Sequence, residues 1–168
     1  MKKFIFFLSL FVSVANLNAQ DNNIETSASL ELVVDSLSEK LNKLQHEYDF
    51  LYCSHELALL NLEIKAEIDN VDIKSNAILI NCYHSRFNID LYTAYRDNYN
   101  TSLELFNSIE SKVSLVKASV ALKILSSNFT KTDIDVLVKG TELLDKCLLK
   151  LESSLNYYKV VLNVYKDL

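Results

Sequence analysis

Proline is absent from the 168 residues, and glycine occurs once, at Gly140. Such a chain lacks the usual breakers of helices and the usual residues of tight hairpin turns, so an all-α fold is expected. The same scarcity weighs against a phosphate-cradling loop, which needs several glycines to bring backbone N–H groups against its ligand. Arginine is nearly missing: Arg86 and Arg96 are the only two, and Arg86 can reach Asp90 at i+4 as an ordinary helix-surface pair. Catalytic signatures are missing as well. The chain has no G-x-S-x-G turn, no H-E-x-x-H, and no Glu three residues before a His of the kind di-iron bundles use. Carboxylate spacings such as Glu63 to Glu67 or Asp133 to Asp135 are those of a solvated helix face. Neither an enzyme nor a cofactor is expected.

What is present begins with charge. The chain carries 17 basic and 22 acidic residues for a net charge of -5, a balance that repels phosphate backbones and anionic headgroups, so no nucleic-acid partner is expected. Lys2 and Lys3 precede an apolar run from Phe4 to Ala15, and Leu17-Asn18-Ala19 ends in a small residue, the pattern of a cleaved signal peptide over residues 1–19. The run is too short to span the roughly 30 Å of bilayer hydrocarbon, so no transmembrane segment is expected after cleavage. Removal of this segment would leave 15 basic residues against 22 acidic ones, a net charge of -7 on a single domain over residues 20–168. A periplasmic or extracellular address follows. The 49% hydrophobic content suffices for a buried core.

Three cysteines, Cys53, Cys82 and Cys147, cannot all pair within one chain. Small apolar thiols on helices are the expectation, and if one cystine forms within the chain it is Cys53 to Cys82, provided that the intervening turn sits near Ile68. Cys53-Ser54-His55 and Cys82-Tyr83-His84 are C-x-H pairs, but residues two apart on a helix point about 200° apart, so neither pair can face one metal. No metal site is expected.

Three heptad patterns organise the chain. Leu30, Val34, Leu37, Leu41, Leu44, Tyr48, Leu51, His55, Ala58 and Leu62 alternate at spacings of four and three, which predicts a helix over 24–68 with this stripe as its bundle seam. Asp69, Asn70 and Asp72 then mark a reversal. A second helix over 76–126 carries Tyr99, Ser102, Phe106, Ile109, Val113, Val116 and Val120 in its second half, with a slip of phase around Asn98. A break there would give a four-helix bundle instead. Thr130-Lys131-Thr132-Asp133 resembles a weak capping box, opening a third helix over 131–166 with its seam from Ile134 to Tyr165. Within that helix Gly140 marks either tolerated drift or a close approach of a neighbouring backbone.

Short connections predict an elongated antiparallel three-helix bundle with coiled-coil-like seams. Reflection about a turn near Asp72 leaves the third helix too short to cover the hairpin from residue 54 to residue 87. Leu57, Leu59, Leu60, Ile64, Ile78, Leu79, Tyr83 and Phe87 then form an uncovered apolar patch, the expected site of self-association or of an envelope-protein partner. The same reflection gathers Tyr48, Tyr52, Tyr92, Tyr95, Tyr99, Tyr157, Tyr158 and Tyr165 into one belt. A protein acting through contacts with other proteins is the leading expectation. The alternative is a carrier or chaperone-like binder of apolar ligands or unfolded chains.

Overall fold

The computed structural model describes residues 24–84 and 87–168, with side chains from residue 30 onward. The signal segment over 1–19 and Arg86 lie outside the described residues. Three helices account for nearly all of the rest: α1 (Ile24–His84), α2 (Ile89–Ser126) and α3 (Lys131–Lys166). By contact the chain divides into two units, Met1–Gln45 and His46–Leu168. Helix α1 runs from one unit into the other, and the remaining helices belong to the second.

The first reversal is not at Asp69 to Asp72. Those residues stay inside α1 because their neighbours Ile68, Val71, Ser75 and Ile78 are all buried, and that packing overrides the turn preference of short polar side chains. Asn70 donates to Glu67 at 2.9 Å, and the Ser75 hydroxyl back-bonds to the Val71 carbonyl at 2.7 Å. The turn falls instead before Asn88, whose side-chain oxygen accepts from the backbone N–H of Asp90 at 2.9 Å and of Leu91 at 3.1 Å. This N-cap satisfies two of the donors that every helix start leaves open. Helix α2 passes unbroken through Asn98, so the four-helix alternative does not arise. Thr130 and Asp133 close both halves of a capping box, at 3.2 Å from the Asp133 N–H and 3.0 Å from the Thr130 N–H.

Cross-helix contacts fix the directions within His46–Leu168. Asp49 meets Lys123, Glu63 meets Lys112, Lys74 meets Ser102 and Asn81 meets Tyr95, a descending series that makes α1 and α2 antiparallel. Lys117 reaches both carboxylate oxygens of Asp145, at 2.8 and 2.6 Å, and Tyr99 packs on Tyr158, so α2 and α3 are also antiparallel. His46 with Asp133 and Asn61 with Cys147 place α3 parallel to α1. The end of α3 therefore reaches Phe87, whose ring lies 5.9 Å from that of Tyr165. Within this unit α3 covers the hairpin that was expected to stand bare.

Helix α1 is apolar on two nearly opposite faces. Its buried stripe is Cys53, Leu57, Leu60, Ile64, Ile68, Val71 and Ile78, not the seam expected from Leu30 to Leu62. Leu51, His55, Ala58 and Leu62 each precede a buried residue by two positions, which is about 200° around the helix, and all four are exposed. The seams of α2 and α3 face the core as expected: Ser102, Ile109, Val113 and Val120 on one, and Leu137, Leu144, Leu151, Leu155, Tyr158, Leu162 and Tyr165 on the other.

Candidate contact surface

The outer stripe of α1 is a heptad repeat facing solvent. In the unit Met1–Gln45 it comprises Leu30, Val34, Leu37, Leu41 and Leu44, between 45% and 62% exposed. In the unit His46–Leu168 it continues on the same helix as Tyr48 and Leu51, each 64% exposed, then His55, Ala58 and Leu62. Tyr52 flanks it, its ring stacked 6.4 Å from that of Tyr48. Surface apolar residues occur elsewhere, but on α3 their run is broken by the exposed Lys139, Lys146 and Lys150. Counting from Leu30 as a d position, the charged flanking residues nearest the middle of the stripe are Lys40 and Glu47, both exposed and both at g.

The residues expected to form the contact patch are divided by the fold. Leu57, Leu60, Ile64 and Ile78 are core residues, at most 6% exposed, because the late turn brings α2 and α3 over them. Leu79 is half-buried, whereas Leu59, Tyr83 and Phe87 reach solvent at 50%, 79% and 37%. The eight-tyrosine belt divides for the same reason: Tyr92, Tyr95 and Tyr165 gather with Phe87 beside the α1–α2 turn and are joined there by Tyr158, on which Tyr99 packs, whereas Tyr48 and Tyr52 lie far along α1. Tyr158 donates to the Tyr95 carbonyl at 3.0 Å, and burial pushes its phenol up to about 12.

All three cysteines are free. Cys53 and Cys82 lie 29 positions apart on the one helix α1, which is about 44 Å along its axis, so the bond between them cannot form within the chain. Burial raises the thiols of Cys53 and Cys82 above their ordinary value. Cys147 is buried with its sulfur 3.2 Å from Asn61 Oδ1. Both C-x-H pairs lie on α1 rather than on neighbouring helices, and among the described residues no group of three or more His, Cys, Asp or Glu gathers to hold a metal ion.

Polar contacts tie the bundle at the end near Ser127. Asp49, 5% exposed, accepts from Lys123 at 2.7 Å and from the Ser127 hydroxyl at 3.1 Å, and its hydrogen bond holds the Lys123 ammonium above the usual lysine range. His46 lies 3.3 Å from Asp133 and packs edge-on against Phe129. The hydroxyl of Thr130 holds the Asp133 carboxyl below the usual carboxylate range. An open groove of about 340 Å³ between α2 and α3 is lined by Phe106, Leu148 and Leu149 with Glu110, Asp145 and Glu152. No described helix is long and apolar enough to cross a membrane. Compared with protein-family models, with curated proteins and with solved structures, the chain matches none.

Proposed function

We propose that this is an exported helical-bundle protein that acts through contacts with other proteins, and that the outer stripe of α1 is its contact surface. The observation that carries the reading is the pairing of stripes: Leu51, His55, Ala58 and Leu62 keep a heptad spacing in solvent while residues two positions on form the core. A helix in a monomer needs only one apolar stripe to fold, so a second one calls for a partner. Export rests on the pattern over 1–19.

A photo-reactive amino acid at position 37 or 51 of the full chain, in the cells that express it, should give covalent protein adducts on illumination. The same probe at the exposed Lys150 serves as the control. Equal labelling at all three positions, or none at 37 and 51, refutes the contact surface. Sequencing the N-terminus of the recovered protein tests export separately, with Gln20 the expected first residue.

A further inference from the structure

We infer that the outer stripe of α1 is covered by a second copy of the chain, running antiparallel, with Leu41 of each copy against Leu44 of the other. This rests on the contact reading above and adds the partner and its register.

Charge selects the register. In an antiparallel two-stranded seam each a position meets a d position of its neighbour, and g positions meet each other along one edge. With Leu41 opposite Leu44, the next layers are Leu37 with Tyr48 and Val34 with Leu51, and they continue outward to residues 30 and 55. Lys40 of each copy then faces Glu47 of the other, giving two symmetric ion pairs between exposed side chains. On the opposite edge Ser38 faces Gln45 and Glu31 faces Tyr52, so no like charges meet. Moving one heptad either way removes the match: one shift sets Lys40 against Lys40, the other Glu47 against Glu47. A parallel pair would set Lys40 against Gln45 and Glu47 against Tyr52, with an ion pair in neither. Of these four arrangements only the proposed one is self-complementary in charge.

The area is sufficient as well. The eight stripe positions from residue 30 to residue 55 are all exposed and seven of them are apolar, and a large apolar side chain at that exposure offers on the order of 100 Å². Each copy would cover roughly 700 Å² of apolar surface, close to the roughly 800 Å² per partner of a standard specific interface.

Sedimentation equilibrium of the full chain tests this with Lys40→Glu, Glu47→Lys, the doubly exchanged variant, and an equimolar mixture of the two single variants. The wild type should dimerise, and each single variant should dimerise about tenfold more weakly, since attraction becomes repulsion at two places. The double variant should recover, and so should the mixture, because a chain acidic at both g positions matches a chain basic at both. If the wild type dimerises but the single variants are not weakened, or the mixture does not recover, the register is overturned. A wild type that stays monomeric up to about 1 mM overturns the second copy as partner. In either case the cross-linking at positions 37 and 51 judges the contact surface on its own.

Discussion

Gly140 sits on α3 where a Cβ would lie 2.8 Å from Leu57 Cδ1 on α1. Replacing a mid-helix glycine with alanine ordinarily stabilises a helix by about 1 kcal/mol. Here the added methyl would stand well inside the roughly 3.5 to 4.0 Å of normal carbon contact, so Leu57 must move by about 1 Å. Leu57 is 6% exposed and enclosed by the core, and forcing it off its rotamer or overpacking its neighbours costs about 1 to 3 kcal/mol. Gly140→Ala should therefore range from neutral to about 2 kcal/mol destabilising. Leu57→Ala alone should cost about 2 to 5 kcal/mol through lost burial and the cavity left behind. In that background the obstructing carbon is gone, and Gly140→Ala should stabilise by about 1 kcal/mol. Urea unfolding of the four proteins, followed by far-UV circular dichroism, reads the coupling as a difference of about 1 to 3 kcal/mol in the effect of Gly140→Ala between backgrounds, and an unchanged m-value licenses the comparison. If Gly140→Ala stabilises equally with and without Leu57, the packing of α3 on α1 described above is wrong.

Neighbouring positions on α1 should respond in opposite ways. Ile64→Ala, at a site with no exposure, should cost about 2 to 5 kcal/mol in urea unfolding at low protein concentration, whereas Leu62→Ala, at 62% exposure, should stay within about 0.5 kcal/mol. Asp49→Ala should cost about 2 kcal/mol, because the Lys123 ammonium and the Ser127 hydroxyl lose their shared acceptor while the partly exposed lysine turns to water; no change in the urea midpoint would show that these contacts do not hold the bundle end. Stability should fall in alkali for two reasons. Tyr158 is held neutral by burial, so its contribution is intact below its ordinary value of 10 and is lost as pH rises towards about 12. The raised Lys123 likewise contributes fully below its ordinary value and loses that contribution as pH passes its folded value. Tyr158→Phe should cost about 1 kcal/mol at neutral pH, from the lost bond to the Tyr95 carbonyl, yet flatten the alkaline decline; an unchanged slope would refute the assignment.

The all-α class, the last helix and the core faces of α2 and α3 were legible because each of those helices carries one dominant heptad stripe. Thr130 and Asp133 were legible for a local reason, since a capping box spans only four residues. Helix α1 was not, because it carries two stripes offset by two residues, and the exposed one begins at Leu30, well before the buried one starts at Cys53. Sequence periodicity shows that a face is apolar but not which neighbour covers it. The first turn was misplaced because Asp69, Asn70 and Asp72 look like breakers when read alone, while the buried Ile68, Val71, Ser75 and Ile78 hold them in the helix. Asn88, followed by Asp90 in the first turn of α2, was the available signal. That single displacement also moved Leu57, Leu60, Ile64 and Ile78 of the supposed contact patch into the core, left Leu59, Tyr83 and Phe87 in solvent, and divided the tyrosine belt.

The measurement bearing most directly on the two-faced helix is sedimentation of Leu37→Glu beside the wild type, with urea unfolding of both at low concentration. Leu37 is 56% exposed, so a carboxylate there should leave helicity and the unfolding midpoint unchanged, while the wild type should sediment as the proposed dimer and the variant as a monomer. A variant that associates as the wild type does, or one that unfolds the protein, would contradict the account.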